Sequence, residues 1–425
     1  MPADKNQKTS TSTHRTILAW AFYDWANSSF ATVVMAGFFP VFFREYWNAG
    51  QSSEAITFHL GTANSVASVI VLAAAPFFGA VADRAGRKQF LFVFTLLGVI
   101  TTGGLFWVAR GEWQVAVTLY ALAIIGFAGA NTFYDALLIG IAPKDRYDDV
   151  SALGFALGYL GGGLLFALCV VMYTFPRTFG FDNGVQAVQA SFLMVAVWWS
   201  VFTVPLLIGV EEPRILQRMN ILCALKGGTH QLASTIRHIR QLRHAALFLA
   251  AYWLYIDGVD TVVRMAVDYG KALGFETGDL IMALLITQFV GFPATIAFGY
   301  LGRRLGTKAG IFIAIGVYIL VLCWGATIEA AWEFYVLAVA IGLVQGGIQS
   351  LSRAYYARLI PVEKSAELFG FYNMLGKFAA IIGPVMMGWA GRLAGSPRIG
   401  ILSLLILFIG GAVLLMMVKG DRAAR

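Results

Sequence analysis

The chain has 425 residues, of which 59% are hydrophobic and only 13% charged, whereas a soluble domain carries about 25% charged residues. Its mean hydropathy is +0.72 and the apolar residues fall in long blocks, which excludes an ordinary soluble globule. The formal net charge of +8 sits in the short loops between those blocks, a distribution that fits membrane orientation and anionic lipid, with no nucleic-acid partner expected.

Residues 1–16 are polar and hold Lys5, Lys8 and Arg15. The apolar stretch that follows, 17–43, is longer than the roughly 7–15 residues of a signal-peptide core and long enough for a bilayer, which takes about 20. It is read as span 1, not as a cleavable signal. Spans 2 to 12 are predicted at 58–82, 89–109, 113–142, 151–173, 187–210, 245–268, 280–301, 309–328, 334–360, 368–391 and 399–418. Backbone groups in lipid must bond internally, so each is expected to be an α-helix. The expected fold class is an all-α membrane protein, with twelve transmembrane helices in two pseudo-symmetric six-helix bundles. The bundles are 17–210 and 245–418, joined by a linker at 211–244, with tails at 1–16 and 419–425.

An even number of spans puts both tails on one side. The segments on that side hold 22 of the 31 Lys and Arg; the opposite loops hold Arg44, Arg110, Arg177, Lys271, Arg392 and Arg398. The excess predicts cytoplasmic tails. In the linker, Leu225, Leu232, Ile236, Ile239 and Leu242 recur at roughly helical spacing among Arg237, His238, Arg240 and Arg243. This suits either a basic amphipathic helix on the membrane surface or a plain connecting helix. The spacing of Cys169, Cys223 and Cys323 suits neither a metal site nor a disulfide framework. No metal and no cofactor is expected beyond a proton as coupling ion.

The halves repeat each other. Span 2 ends in Gly79-Ala-Val-Ala-Asp83-Arg84-Ala-Gly86-Arg87-Lys88, and span 8, 220 residues on, in Gly299-Tyr-Leu-Gly302-Arg303-Arg304-Leu-Gly306-Thr-Lys308. Span 4 ends in Asn131-Thr-Phe-Tyr134-Asp135 and span 10 in Gln349-Ser-Leu-Ser-Arg353. Duplication of six helices points to a two-lobed carrier with a site between the lobes. The first loop closely resembles the signature loop of the major facilitator superfamily. That resemblance implies that Asp83 meets the N-terminus of span 11, where the helix dipole favours an anion. Arg84, Arg87 and Lys88 are then expected to pair with Glu363 and Glu367, and Arg303, Arg304 and Lys308 with Asp148 and Asp149. The second copy has no acid to match Asp83, reading Gly302-Arg303, so the mirrored lock is expected to be the weaker one.

Charges deep in a span cost at least about 2.5–3.5 kcal/mol on insertion scales and persist where they face a cavity or each other. Span 1 has Tyr23, Asp24 and Asn27; span 7 has Asp257, Asp260 and Arg264 on one stripe. Span 4 offers Asn131, Tyr134 and Asp135; span 10 offers Gln345, Gln349 and Arg353; Gln288 lies in span 8, and Asn373 and Lys377 in span 11. In the superfamily, spans 1, 4, 7 and 10 line the central cavity. A carboxylate in a low-dielectric cavity can exchange a proton with either side in turn. Asp24, with no basic neighbour on its own helix, is the first candidate for this and Asp257 the second, while Asp260 is expected to pair with Arg264. Fixed pairs between helices are the alternative for each. Arg264, Arg353 and Lys377 are candidates for a substrate carboxylate, and Asp135 and Arg353 are candidates for the cytoplasmic gate as well. Gly154, Gly158, Gly161, Gly162 and Gly163 in span 5, and Gly376, Gly383 and Gly388 in span 11, read as close-packing surfaces.

Three segments resemble one branch of the superfamily, the vacuole-effluxer-like transporters related to a fungal vacuolar amino-acid exporter. They are Phe22-Tyr-Asp-Trp-Ala-Asn-Ser-Ser-Phe30, Leu254-Tyr-Ile-Asp-Gly-Val-Asp-Thr261 and Gly342-Leu-Val-Gln-Gly-Gly-Ile-Gln-Ser-Leu-Ser-Arg353. The resemblance implies solute transport and, by analogy, an amino-acid-like solute. The expectation is a monomeric, proton-coupled carrier of a small polar or zwitterionic solute in a bacterial inner membrane, in contact with lipid and working by rocker-switch alternating access. A multidrug or sugar carrier and a non-transporting receptor or scaffold are the alternatives. An enzyme is not expected, since no Walker sequence, metal-ligand cluster or nucleophile–base pair is evident.

Overall fold

The computed structural model describes residues 4–48, 59, 70, 78–79, 81–83, 86–212 and 243–418, with the side chains of all of these except 4–13, 267–268, 271–272, 277 and 377–381. The described residues are helical almost throughout. Among the described residues, ten helices are long and apolar enough to cross a membrane: His14–Trp47, Arg87–Trp107, Trp113–Ile141, Lys144–Thr174, Gly184–Gly209, Arg243–Ala266, Gly278–Leu305, Thr307–Gly325, Ala331–Leu359 and Pro397–Met417. They correspond to spans 1, 3–10 and 12. Span 11 falls within the helix Ser365–Ala394. Span 2 and the linker's amphipathic stretch lie mostly outside the described residues.

The helices overrun the apolar windows that announce them. Spans 4, 8 and 10 are 29 residues each, about 43 Å at 1.5 Å per residue, against a hydrocarbon core of about 30 Å. Their polar ends continue as helix because local chemistry satisfies the termini. Asn183 accepts from Gln186 N at 3.1 Å at the start of span 6. The Glu333 carboxylate takes the amides of Glu329 and Ala330 at 2.8 and 3.0 Å at the start of span 10. Gly86 and Gly306, at φ of +124° and +95°, turn the chain between spans 2 and 3 and between spans 8 and 9. A side chain at either would be strained.

Span 1 departs from regular α geometry beyond Ser29. Phe30–Phe38 is π-helical, and Phe39 N–H bonds Val34 O, five residues back. Such widened turns are rare and gather at functional sites; here the stretch carries Ala31, Thr32 and Ala36 into the central cavity.

Span 5 packs on span 1 through its glycines. A Cβ at Gly161 would lie 2.7 Å from Trp25 O, and one at Gly162 3.0 Å from Ser28 O. Gly383 in span 11 is likewise pressed against span 7, 2.9 Å from Asp257 Oδ1. Gly388 departs from the expected packing surface: a Cβ there meets nothing within 4 Å, because it points off the helix seam. One core cluster draws buried residues from both halves, among them Trp20, Tyr134, Val150, Tyr255, Leu351 and Phe369. The buried members of the other all come from the first half. The halves are therefore sealed together at the end where span 1 begins, called the gate end below.

Candidate functional site

A cavity of about 330 Å³ lies between the halves. Spans 1, 4 and 5 line it from the first half, and spans 7, 8, 10 and 11 from the second. Its polar lining includes Asp24, Asn27, Asn131, Tyr134, Asp135 and Tyr159, facing Asp260, Gln288, Gln345, Gln349, Arg353 and Asn373.

Arg353 closes the gate-end floor of this cavity. It is 2% exposed and, although it belongs to span 10, all of its bonds go to the first half. Nε donates to Ser151 Oγ at 2.8 Å and Nη2 to Ser151 O at 2.9 Å. Nη1 reaches Asp135 Oδ1 at 3.0 Å, and both terminal nitrogens reach Asp24 Oδ2 at 3.3 Å. The rings of Phe155, Trp20 and Tyr134 lie 4.2, 4.9 and 5.3 Å from its guanidinium carbon. Tyr134 OH donates to Asp24 Oδ2 at 2.8 Å, and Asn373 Nδ2 to Asp135 Oδ2 at 2.9 Å. Trp20 is held by its own indole bond to Tyr134 O at 3.0 Å. Asp24, which lacks a basic neighbour on its own helix, thus obtains one from span 10. Asp135 and Arg353 belong to the cavity and to the closed end at once.

Further up the cavity, Asn27 Nδ2 bonds Asn131 Oδ1 at 2.5 Å. Two bonds cross between the halves: Tyr159 OH to Gln349 Oε1 at 3.4 Å and Gln288 Nε2 to Thr32 Oγ1 at 2.5 Å. Tyr23 is buried and bonds Thr95 at 3.0 Å, outside the cavity lining.

In span 7 it is Asp260, and not Asp257, that the cavity meets. Asp257 is 1% exposed and accepts the Gly383 amide at 3.0 and 3.1 Å, with Thr261 at 3.4 Å. It is not among the cavity-lining residues. Gly383 lies directly before Pro384, which stands inside the continuous span 11 helix. Asp260 is the acid of span 7 that lines the cavity. Arg264 is exposed and does not line it. The Lys377 side chain and Arg84 lie outside the described residues.

At the gate end Asp83 accepts the amides of Ala366 and Glu367 at 3.0 and 2.9 Å, at the start of the span 11 helix. Gly79 makes the approach possible, since a Cβ there would lie 2.5 Å from Ala366 O. Arg87 and Lys88 have partners other than the expected glutamates. Arg87 pairs with Asp83 one turn back, at 2.9 Å, and donates to Val362 O at 3.0 Å, while Glu363 is exposed and Glu367 buried. Lys88 turns to its own half and donates to Leu207 O and Val210 O at 2.8 and 2.5 Å. It caps the end of span 6, where the dipole favours a cation.

The mirrored loop repeats this. Lys308 donates to Met416 O and Val418 O at 3.1 and 2.7 Å, at the end of span 12. Arg304 lies over the Tyr300 ring at 4.6 Å, and Arg303 pairs with Asp149 at 2.8 Å. Asp148 is held by Arg358 at 2.8 and 2.9 Å and by Thr307 Oγ1 at 2.9 and 3.1 Å. Gly302, one residue before the position that matches Asp83, leaves room for Asp148: a Cβ there would meet Leu351 Cδ2 at 2.6 Å and Asp148 Cγ at 3.4 Å. The mirrored lock therefore has its acid on span 5 instead of span 8, and it is not bare. Sequence reasoning passed over Trp20, Ser151, Phe155, Tyr159 and Arg358. Arg358 sits five residues after Arg353 near the end of span 10, a signal that was available; the others are common residue types within apolar runs.

A family model described as "Vacuole effluxer Atg22 like" matches residues 57–425. An uncharacterized MFS-type transporter of Bacillus subtilis, YxiO, is 36% identical over 95% of this chain and 94% of its own. Autophagy-related protein 22-1 of Aspergillus niger is 26% identical over 65% of this chain. The chain spans 48% of that fungal relative's length. Among solved structures, the human organic anion transporter MFSD10 superposes with a TM-score of 0.73 at 14% identity, covering 95% of this chain and 99% of its own. The proton:xylose symporter XylE superposes with a TM-score of 0.69, also at 14% identity, covering 96% and 95%.

Proposed function

This chain belongs to the vacuole effluxer Atg22-like family of major facilitator superfamily transporters, and on that premise we propose that it carries a small polar or zwitterionic, amino-acid-like solute, coupled to protons. It is an integral membrane transporter and not an enzyme. In our reading it has twelve membrane helices in bundles 17–210 and 245–418, both tails in the cytoplasm of a bacterial cell, and works as a monomer.

The observation that carries the proposal is the buried set Asp24–Arg353–Asp135 at the floor of an inter-half cavity. Two carboxylates face one guanidinium, so the set is neutral only when a proton or another cation joins it. Breaking the Arg353 bonds is a step in opening the gate end, which couples that extra cation to the change of access. The cavity also carries amides and hydroxyls from both halves, suited to a solute with donors and acceptors of its own.

The test is counterflow and pH-driven uptake in proteoliposomes with labelled alanine, leucine, arginine, glutamate, glucose and tetraphenylphosphonium. The expected result is uptake of one or more amino acids, raised by an imposed pH gradient and lost in Asp24→Asn. Movement of glucose or the lipophilic cation alone would replace the solute class. Absence of movement for every compound, in protein that is folded and inserted, would leave a receptor or scaffold role.

A further inference from the structure

The bonds of Arg353 are distributed in a way that a gate salt bridge does not require. The guanidinium has five N–H groups, and the first half supplies an acceptor for each. They are Ser151 Oγ for Nε, Asp24 and Ser151 O for Nη2, and Asp24 and Asp135 for Nη1. Three aromatic rings of the same half, Phe155, Trp20 and Tyr134, surround the same group at 4.2–5.3 Å. The receptor is also built to fit. A Cβ on Gly154 would lie 2.6 Å from Asp24 Oδ2, 2.9 Å from Tyr134 OH and 3.0 Å from Arg353 Nη2. Span 5 thus gives up a side chain to make the space. The second half contributes to this pocket the arginine itself, the Asn373 bond to Asp135, and Ser350 O, which accepts from Ser151 Oγ at 2.8 Å.

When the halves part at the gate end, Arg353 leaves with span 10. The first half is left with two carboxylates, a serine hydroxyl and carbonyl, and three rings around a vacated space shaped for a planar cation. Buried carboxylates stripped of their counter-charge are strongly unfavourable, and aromatic faces attract a cation that replaces it. We propose that this cage is the binding site for a guanidinium or ammonium group on the transported solute in the gate-open state, and that Arg353 is its tethered competitor. Closing the gate then returns Arg353 to the cage and expels the solute's cationic end. This deepens the transport reading above and rests on it. It assigns the N-terminal half as the cation-binding half, with Trp20, Ser151 and Phe155 as binding residues beside Asp24 and Asp135.

The test uses the full chain in lipid nanodiscs with methylguanidinium chloride as probe and sodium chloride at equal ionic strength as control. In Arg353→Ala the cage is empty in every conformation. Methylguanidinium should raise the thermal midpoint of that variant saturably, and quench its tryptophan fluorescence through Trp20. The apparent affinity should weaken roughly tenfold or more when Asp24→Asn is added, the loss expected for a charge-assisted hydrogen bond. Because Arg353→Ala removes a buried counter-ion and the variant may not fold, wild-type protein supplies a second measurement. A cation that takes the cage must displace Arg353, so hydrogen exchange at the Ala366 and Glu367 amides, bonded to Asp83 in the closed gate, should accelerate with methylguanidinium and not with sodium. A folded Arg353→Ala protein with no saturable response overturns the proposal. So does a response unchanged by Asp24→Asn, or unchanged exchange in the wild type. If wild-type proteoliposomes move an amino acid while these probes fail, the cage assignment falls and the transport reading stands. If nothing is transported while the cage binds methylguanidinium, the transport reading falls and, with no solute for the cage to serve, this proposal falls with it.

Discussion

Single residues hold the cavity floor together, and one of them is a residue without a side chain. Gly154→Ala places a methyl carbon against Asp24, Tyr134 and Arg353 at once, and displacement of a binding group by about 1 Å can cost on the order of 100-fold. Amino-acid uptake in proteoliposomes should fall to background in Gly154→Ala. Gly388→Ala, which meets open space, should retain it and gain up to about 1 kcal/mol of helix propensity. The charges themselves are coupled. Removing one partner of a buried pair costs about 3–5 kcal/mol because the other charge remains, so Arg353→Gln should lower the thermal midpoint sharply. Arg353→Gln with Asp135→Asn should recover part of that loss, and strictly additive midpoint shifts would show that the two do not interact. Asp24, Asp135 and Arg353 were legible in the sequence because charge deep in an apolar span is conspicuous. That they meet was not, since spacing within spans 1, 4 and 10 carries no information on how those helices face one another. Nor was it legible that Asp260 lines the cavity while Asp257 accepts the Gly383 amide of the neighbouring helix.

At the level of elements, the repeat read from the sequence is carried by its small residues and by its last lysine. Gly79 and Gly299 each let a helix approach the start of a helix in the other half, against Ala366 O at 2.5 Å and Ala152 Cβ at 2.6 Å. Gly86 and Gly306 take the positive φ of the two turns. Lys88 and Lys308 each cap the last helix of their own half. The 220-residue offset made these positions visible, whereas the targets of the basic residues left no mark in the sequence, because a helix C-terminus is a set of backbone carbonyls present under any side chains. Arg87 and Lys88, expected on Glu363 and Glu367, bond Asp83, Val362 O and the carbonyls that end span 6 instead. Gly79→Val should hold the first seam apart. Since Ala366 O is backbone and cannot swing away, exchange at the Ala366 and Glu367 amides should rise well above wild type. The exchange of span 5 residues near Asp148, which belongs to the other seam, should stay at its wild-type rate.

For the whole molecule, the arrangement is a carrier shut at one end. The first-half members of the core cluster shared by the halves, the Asp83 capping bonds, the Arg353 cage and the Asp148–Arg358 pair lie where span 1 begins, and the cavity lies above them. Alternating access requires this end to open, and each half contributes locks of different strength. In the Arg303–Asp149 pair the arginine is exposed and the aspartate half-buried, and pairs open to solvent are worth about 0–1 kcal/mol, so by itself it does not hold the gate. It does mark a place where the two halves touch and where chemistry can reach them. Replacing Asp149 and Arg303 by cysteine, in a protein whose Cys169, Cys223 and Cys323 are changed to alanine, removes little stability and puts two thiols across the second seam. A short, reducible bis-thiosulfonate reagent should then stop amino-acid uptake in proteoliposomes, and reductant should restore it. Either single cysteine treated in the same way should remain active. Uptake that continues in the cross-linked protein would mean that spans 5 and 8 stay together through the cycle, and that the gate end opens along the seam of spans 2 and 11 alone.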